Sequence, residues 1–225
     1  MNFLELVDDL RIQCGASGRA PATLQGALPT ETDRFRRWVN SAWNDIQISH
    51  TDWRFLFIES SHTMAVNSRV LNQTEYAAGN VAEWMVDTFR IADPAKPRMD
   101  SQPLPFVPYY EWRDNEGRDT TITGKPSTFT IDPMTEAILL APTSDKAYVL
   151  FYDYWKNPQV LVANNDVPII PKRFHDLIVA WAMKKYGYHE AASEKLQQAN
   201  EVISRLYPAL EMDQLPAMNV GTLWN

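Results

Sequence analysis

The sequence predicts an α+β fold: a helical bundle formed by N- and C-terminal helices, with an inserted antiparallel β-rich lobe and an extended C-terminal tail. Three observations predict it. Apolar residues recur at three- and four-residue steps near both ends of the chain, as amphipathic helices require. From Phe55 to Leu161 they collect instead in short β-branched and aromatic runs broken by Pro, Gly, Asn and Asp, the pattern of short strands. Helices separated by such a block most simply bury their apolar stripes against one another, which makes the block an insertion.

The first helix spans Asn2 to Gln13, with Leu6 and Leu10 on one face, Phe3 and Val7 beside them, and Gly15 as its stop. "GASGRAPATLQGALP" follows as a loop. In the second helix Thr30 can cap, Glu31 and Asp33 load the positive end of the dipole, and Thr30 to Asp33 has capping-box spacing. Phe35, Trp38, Val39, Ala42, Trp43 and Ile46 form its stripe, and it ends near His50. "RFLFIE", "TFRIAD", "STFTID", "EAILLAP" and "AYVLFYDYW" then read as strands. "YYEWRD" lacks strand alternation and reads as a short helical turn, while "TEYAAGNVAEWMVD" is ambiguous.

Helices return at "PKRFHDLIVAWAMKKYGYHEAA", where Pro171 suits a first helical turn and Gly187 is expected to end the helix. Phe174, Leu177, Ile178, Trp181, Ala182 and Lys185 share its face. A fourth helix runs from Glu190 with Ala192, Leu196, Ala199, Ile203 and Leu206 inward, and Pro208 is expected to kink or end it. "EMDQLPAMNVGTLWN" has no helical period. The expected divisions are 1–54 and 167–211 for the bundle, 55–166 for the lobe and 212–225 for the arm.

Composition narrows the function. Of 225 residues, 45% are hydrophobic and 22% charged, an ordinary globular balance. No apolar run approaches the roughly 18 residues a membrane helix needs, and "MNFLELVDDLRIQ" has no signal-peptide pattern. Cys14 is the only cysteine, which excludes an internal disulfide and a multi-thiolate metal site. The net charge of −7 argues against tight binding of nucleic acid, which is driven by basic side chains displacing counterions. Fifteen prolines against eight glycines suggest shaped loops rather than flexible linkers.

Catalytic signals are weak. His175 and His189 are fourteen residues apart with no His or Cys at zinc-ligand spacing. His50 falls at a helix end, where imidazolium suits the dipole, and His62 lies in a strand. Asp8 with Asp9, Glu111 with Asp114, and Glu211 with Asp213 are near pairs of the kind solvated faces give routinely. "NNDVP" at 164–168 lacks the glycine and distal acid of a calcium loop. No nucleophile elbow, Walker A, dinucleotide fingerprint or H-E-x-x-H occurs. No enzymatic role, cofactor or metal is assigned.

Aromatic density is the stronger feature, with eight Trp, nine Tyr and nine Phe. In "YVLFYDYW", Tyr148, Leu150, Tyr152 and Tyr154 share one face, and Val149, Phe151, Asp153 and Trp155 the other. Large apolar groups on both faces must be covered twice, by this domain or by a neighbouring subunit. Tyr109, Tyr110, Trp112, Phe151 and Trp155 are the candidate interface. The tail, with Gln214, Leu215, Met218, Val220, Leu223 and Trp224, either stays disordered or orders on a partner.

"LELVDDLRIQCG", "WVNSAWNDIQISHTDWRFL", "LPFVPYYEWRD", "GKPSTFTIDP", "VPIIPKRFHDLIVAWAMKKYGYHEA" and "MDQLP" occur in that order over residues 3–216. Together they resemble the head-to-tail adaptor, or connector, proteins of tailed bacteriophages. The resemblance implies a structural virion protein at the head–tail junction, assembled in the host cytoplasm. It implies a ring, typically of twelve copies, beneath the portal. The ring extends the DNA channel without binding DNA specifically, and a tail, nozzle or stopper protein docks on it. It also implies a C-terminal arm that reaches the portal, and no membrane partner.

Two other classes compete. A carbohydrate- or receptor-binding virion module would use the aromatic lobe, although four framing helices and the lack of repeated strand motifs count against it. A hydrolase would need Glu111, Asp114 or His175 and has no nucleophile motif to go with them.

Overall fold

The computed structural model describes residues 1–16, 21–26, 30–76, 80–96 and 99–215. The chain divides into a helical unit, Met1–Leu56 with Pro158–Asn225, and a β-rich unit, Phe57–Asn157. In chain order the helical unit supplies α1 (Phe3–Gln13) and α2 (Thr30–Ile48). The β-rich unit follows with β1 (Phe57–Thr63), β2 (Val70–Leu71), β3 (Val81–Trp84), β4 (Arg90–Ala92), β5 (Gln102–Pro103) and α3 (Tyr109–Asp114). It is completed by β6 (Thr123–Gly124), β7 (Thr128–Ile131), β8 (Ile138–Ala141), β9 (Thr143–Ser144) and β10 (Val149–Lys156). The helical unit then closes with α4 (His175–His189) and α5 (Ser193–Gln214). The fold class is therefore the expected α+β, with helices at both ends of the chain.

α1 begins with a full capping box. The Asn2 side chain accepts from the Glu5 N–H at 2.9 Å, and the Glu5 carboxylate accepts from the Asn2 N–H at 2.8 Å. In α2 the Asp33 carboxylate goes to Arg36 at 2.6 Å and Arg37 at 2.8 Å, rather than back to the helix start.

α4 is the centre of the helical unit and packs against α1, α2 and α5. Leu177, Ile178, Val179, Ala180, Ala182 and Met183 are all buried, so this helix is apolar all round, as a helix covered on several sides must be. On the α2 side, Tyr186 stacks on Phe35 and meets Trp38 edge-on, and Lys185 reaches Asp45 at 2.6 Å. On the α5 side, Trp181 lies against Tyr207 and Gly187 against Leu196.

Three sequence expectations need correction here. Gly187 does not end α4, which continues to His189; the glycine lets the backbones of α4 and α5 approach. Pro208 does not end α5. It sits on the exposed face, where the Ser204 carbonyl it leaves without a helical partner can bond water instead. The arm consequently begins later than residue 212, because α5 runs to Gln214.

The returning segment at 158–166 lies in the helical unit rather than the β-rich one. Asn40 on α2 holds Leu161 by both backbone groups, at 2.9 and 3.0 Å, and Gln47 holds Gln159 in the same way, at 3.0 and 2.7 Å. Residues seven apart on a helix thus clamp residues two apart on an extended chain. Phe3 and Leu4 add backbone bonds to Asp166 and Asn164.

In the β-rich unit the main sheet has the order β1-β10-β4-β5, with β3 also paired to β10. β2, β8 and β7 form a second antiparallel sheet, and β6 and β9 a short parallel pair. β1 lies antiparallel on β10 from Phe57 opposite Trp155 to Thr63 opposite Val149. The alternation of β10 decides which side is core: Leu150, Tyr152 and Tyr154 are buried with Phe89, Phe129, Ile138 and Leu140. Phe89 stacks on Phe129 at 4.0 Å between ring centres. In "TEYAAGNVAEWMVD" Val81–Trp84 forms β3 and a short 3-10 turn follows at Val86–Thr88, while residues 77–79 lie outside the described residues.

Candidate functional site

The groups that could do chemistry are engaged structurally. His175 is 1% exposed; its Nδ1 lies 2.6 Å from the Met1 nitrogen and its Nε2 3.3 Å from the Ile170 carbonyl. Burial holds its pKa below the ordinary histidine value, with the Met1 ammonium charge acting in the same direction. The neutral ring can accept from Met1 at Nδ1 and donate to Ile170 from Nε2.

His50 Nε2 is 2.9 Å from Glu211, and its ring meets Trp53 and Tyr207. His189 packs edge-on against Trp38 beside Glu190. His62 is half-buried on β1, opposite Leu150.

Glu111 and Asp114 are exposed on α3, where Asp114 pairs with Arg113 at 3.4 Å and Arg118 at 3.7 Å. They belong to the β-rich unit, whereas His175 belongs to the helical one. Cys14 is buried, and desolvation pushes its thiol up to about 12. Among the described residues no group of three or more His, Cys, Asp or Glu could hold a metal ion. No helix among them is long and apolar enough to cross a membrane.

The aromatic candidates separate into two kinds. Tyr110 is exposed to 69%, with the Arg113 guanidinium 5.6 Å from its ring centre, and Tyr109 beside it is half-buried. Phe151 and Trp155 are half-buried on the face of β10 turned away from the core, where Trp155 meets Phe57 edge-on. These four can touch a partner. Trp112 cannot, because it is buried with Arg69 5.0 Å over its ring and Gly117 pressed against it. A Cβ on Gly117 would lie 2.9 Å from Trp112 Cζ3. Much of the aromatic density of the β-rich unit is core: Tyr148, Tyr152, Tyr154, Phe89 and Phe129 are all buried.

At the end of α5, Glu211 is held by His50 and Asp213 by Arg173. Gln214 closes the helix half-buried, and the Leu215 N–H donates to the Glu211 carbonyl at 2.9 Å. Met218, Val220, Leu223 and Trp224 lie outside the described residues. Sequence reading missed the two cross-element links to His50 and Arg173. Only the near pair of Glu211 and Asp213 hinted that this turn carries charge for a purpose.

The model of the SU10 adaptor protein family matches residues 1–220. The chain belongs to that family. It is thereby a phage head-to-tail adaptor, a structural protein of the virion that interacts with head or tail components. No curated protein matches it. In the adaptor His175 is buried between Met1 and Ile170 and Cys14 is buried, while Tyr109, Tyr110, Phe151 and Trp155 reach the surface.

Proposed function

We propose that the adaptor assembles as a closed ring, of twelve copies, that docks beneath the portal, extends the DNA channel and attaches a tail, nozzle or stopper protein. The observation that carries this reading is the family match over residues 1–220, which takes in both units and runs past the last helix. Gln214 and Leu215, followed by Met218, Val220, Leu223 and Trp224, form the portal-binding arm. The anchoring of Glu211 and Asp213 supports this, because it gives the arm a fixed point of departure. Tyr109, Tyr110, Phe151 and Trp155 supply contact area toward a neighbouring copy or a tail component.

DNA passes without specific binding. At a net charge of −7 per chain, twelve copies carry about −84, which opposes the counterion-release attraction that would hold a polyanion.

Sedimentation of the purified adaptor, alone and mixed with the portal ring of the same phage, tests the reading. A saturating, symmetric stoichiometry is expected in the mixture. An adaptor that stays unbound beside an intact portal ring would overturn it.

A further inference from the structure

A ring closes only if each copy carries two different, complementary faces. We infer that in the adaptor these are the outward arginine-bearing face of α2 and the outward glutamate-bearing face of α5, the α2 of one copy packing on the α5 of the next. The inference rests on the ring reading and names its contact.

Both faces belong to the helical unit. α4 separates them, turning Tyr186 and Lys185 to α2 and Trp181 and Gly187 to α5. The exposed faces of α2 and α5 are thus two separate surfaces flanking α4, as a head-to-tail contact needs. On α2 the exposed row is Glu31, Arg34, Arg37, Ser41, Asn44 and Ile48, with a net positive charge; on α5 it is Glu194, Gln198, Glu201, Arg205, Pro208 and Met212, with a net negative one. Each row follows three- and four-residue steps, so each is one face of its helix.

The rows match in charge and in spacing. Among the described residues Arg34 forms no ion pair, and neither do Glu194 and Glu201. Arg37 shares Asp33 but is 75% exposed. Each row ends in an apolar side chain open to water, Ile48 at 60% and Met212 at 87%. Arg37 precedes Ile48 by eleven residues, and Glu201 precedes Met212 by eleven. With the helices parallel, that spacing sets Arg37 on Glu201 and Ile48 on Met212 about three turns on. Arg34 then falls between Glu194 and Glu201, and Arg205 meets Ser41 rather than another arginine.

Parallel packing is what a ring would impose. Inside one copy α2 and α5 run the same way: their C-terminal ends meet through His50 and Glu211, while Trp38 on α2 meets His189 where α4 hands over to α5. Rotation about an axis along the helices keeps that direction, so α2 meets the neighbour's α5 in parallel.

The test is charge reversal in the full chain, read by sedimentation with the portal ring of the same phage. Arg34→Glu with Arg37→Glu, or Glu194→Arg with Glu201→Arg, should each lower the assembled fraction by about tenfold or more, since opposed like charges replace the pairs. All four reversals in one chain should restore it. Arg34→Glu alone, which disturbs no ion pair, guards against a folding defect, checked by circular dichroism. A double variant, Arg37→Cys with Glu201→Cys, should give a disulfide ladder beyond the dimer in the assembled complex, and neither single variant should. Reversed variants that assemble like the parent, or a fourfold variant that stays unassembled, would overturn the contact and leave the ring standing. A parent chain that never joins the portal would overturn the ring, and this contact with it.

Discussion

Gly187 of α4 and Leu196 of α5 meet so closely that a Cβ on the glycine would stand 2.8 Å from both Cγ and Cδ2 of the leucine. This glycine is present for approach, not for a turn. Gly187→Ala gains about 1 kcal/mol of helix propensity but forces an extra carbon into a packed crossing, a change that costs about 1–3 kcal/mol. The expected net effect is a loss of stability, seen as a lower urea midpoint. Adding Leu196→Ala to the same chain makes room, so the two substitutions together should cost less than their sum. Additive effects would show that the crossing tolerates the methyl group.

Ala191 joins α4 to α5 with φ at 52°, in the left-handed region that a side chain resists. Its neighbour Ala192 donates to the Gly187 carbonyl at 2.9 Å, which holds that turn. Ala191→Gly removes the clash and is expected to raise stability by about 0.5–1 kcal/mol, measured by denaturant unfolding. A lower midpoint would mean that the alanine methyl group packs to more effect than its backbone strain costs.

Stability should also report His175. Its folded pKa lies below the ordinary value because burial disfavours the charged ring, Met1 and Lys172 add repulsion, and Asp176 and the Ile170 carbonyl only partly oppose them. The unfolded chain therefore binds a proton that the folded chain refuses. The contribution is complete above the unfolded value of about 6.5 and is lost as pH falls from there toward the folded pKa. Between pH 7.5 and pH 5 the parent should lose more stability than His175→Gln does. Equal losses would place the acid sensitivity elsewhere.

Cys14 is expected to be inert in the native protein. With its thiol pushed up to about 12 by burial, and Lys195 only partly opposing that shift, almost no thiolate forms near neutral pH. Ellman's reagent at pH 8 should react at the rate at which the helical unit opens, and rapidly in urea. Fast labelling of the folded chain would show that the end of α1 is loosely packed.

How much of this was legible depended on whether the signal was local. The stripes of α1 and α2 lie within one helix each, so their existence and inward faces could be read from spacing, and so could the two faces of β10. Gly187 misled because glycine stops helices more often than it lets two helices touch, and only Leu196, nine residues on, distinguishes the cases. Of the two outcomes expected at Pro208, the helix end does not occur, because its penalty depends on which way the freed carbonyl points. Trp112 was placed on the surface because nothing in "YYEWRD" shows that Arg69 covers it from forty-three residues away. The clamp of Asn40 and Gln47 on residues 159–161 is likewise a long-range pairing, and its absence from local pattern set the lobe boundary too late.

The end of α5 yields the sharpest separation of fold from function. The sequence pattern assigns residues 212–225 to an arm outside the bundle. Asp213, however, pairs with Arg173, and its carboxyl is held below the usual carboxylate range by Gln214 and by Arg173. A chain ending at Leu215 keeps these groups, the Glu211–His50 link and every buried residue of the helical unit among the described ones. It is expected to melt where the full chain melts, while losing portal affinity if the arm docks there. A chain ending at Met212 also loses the Arg173 pairing and the last two residues of α5, so its melting temperature should fall. Comparing the two by thermal unfolding and portal sedimentation separates the parts. If the longer truncated chain melts with the full chain and still binds the portal undiminished, residues 216–225 are not the portal-binding arm, and the contact has to be sought on the folded surface instead.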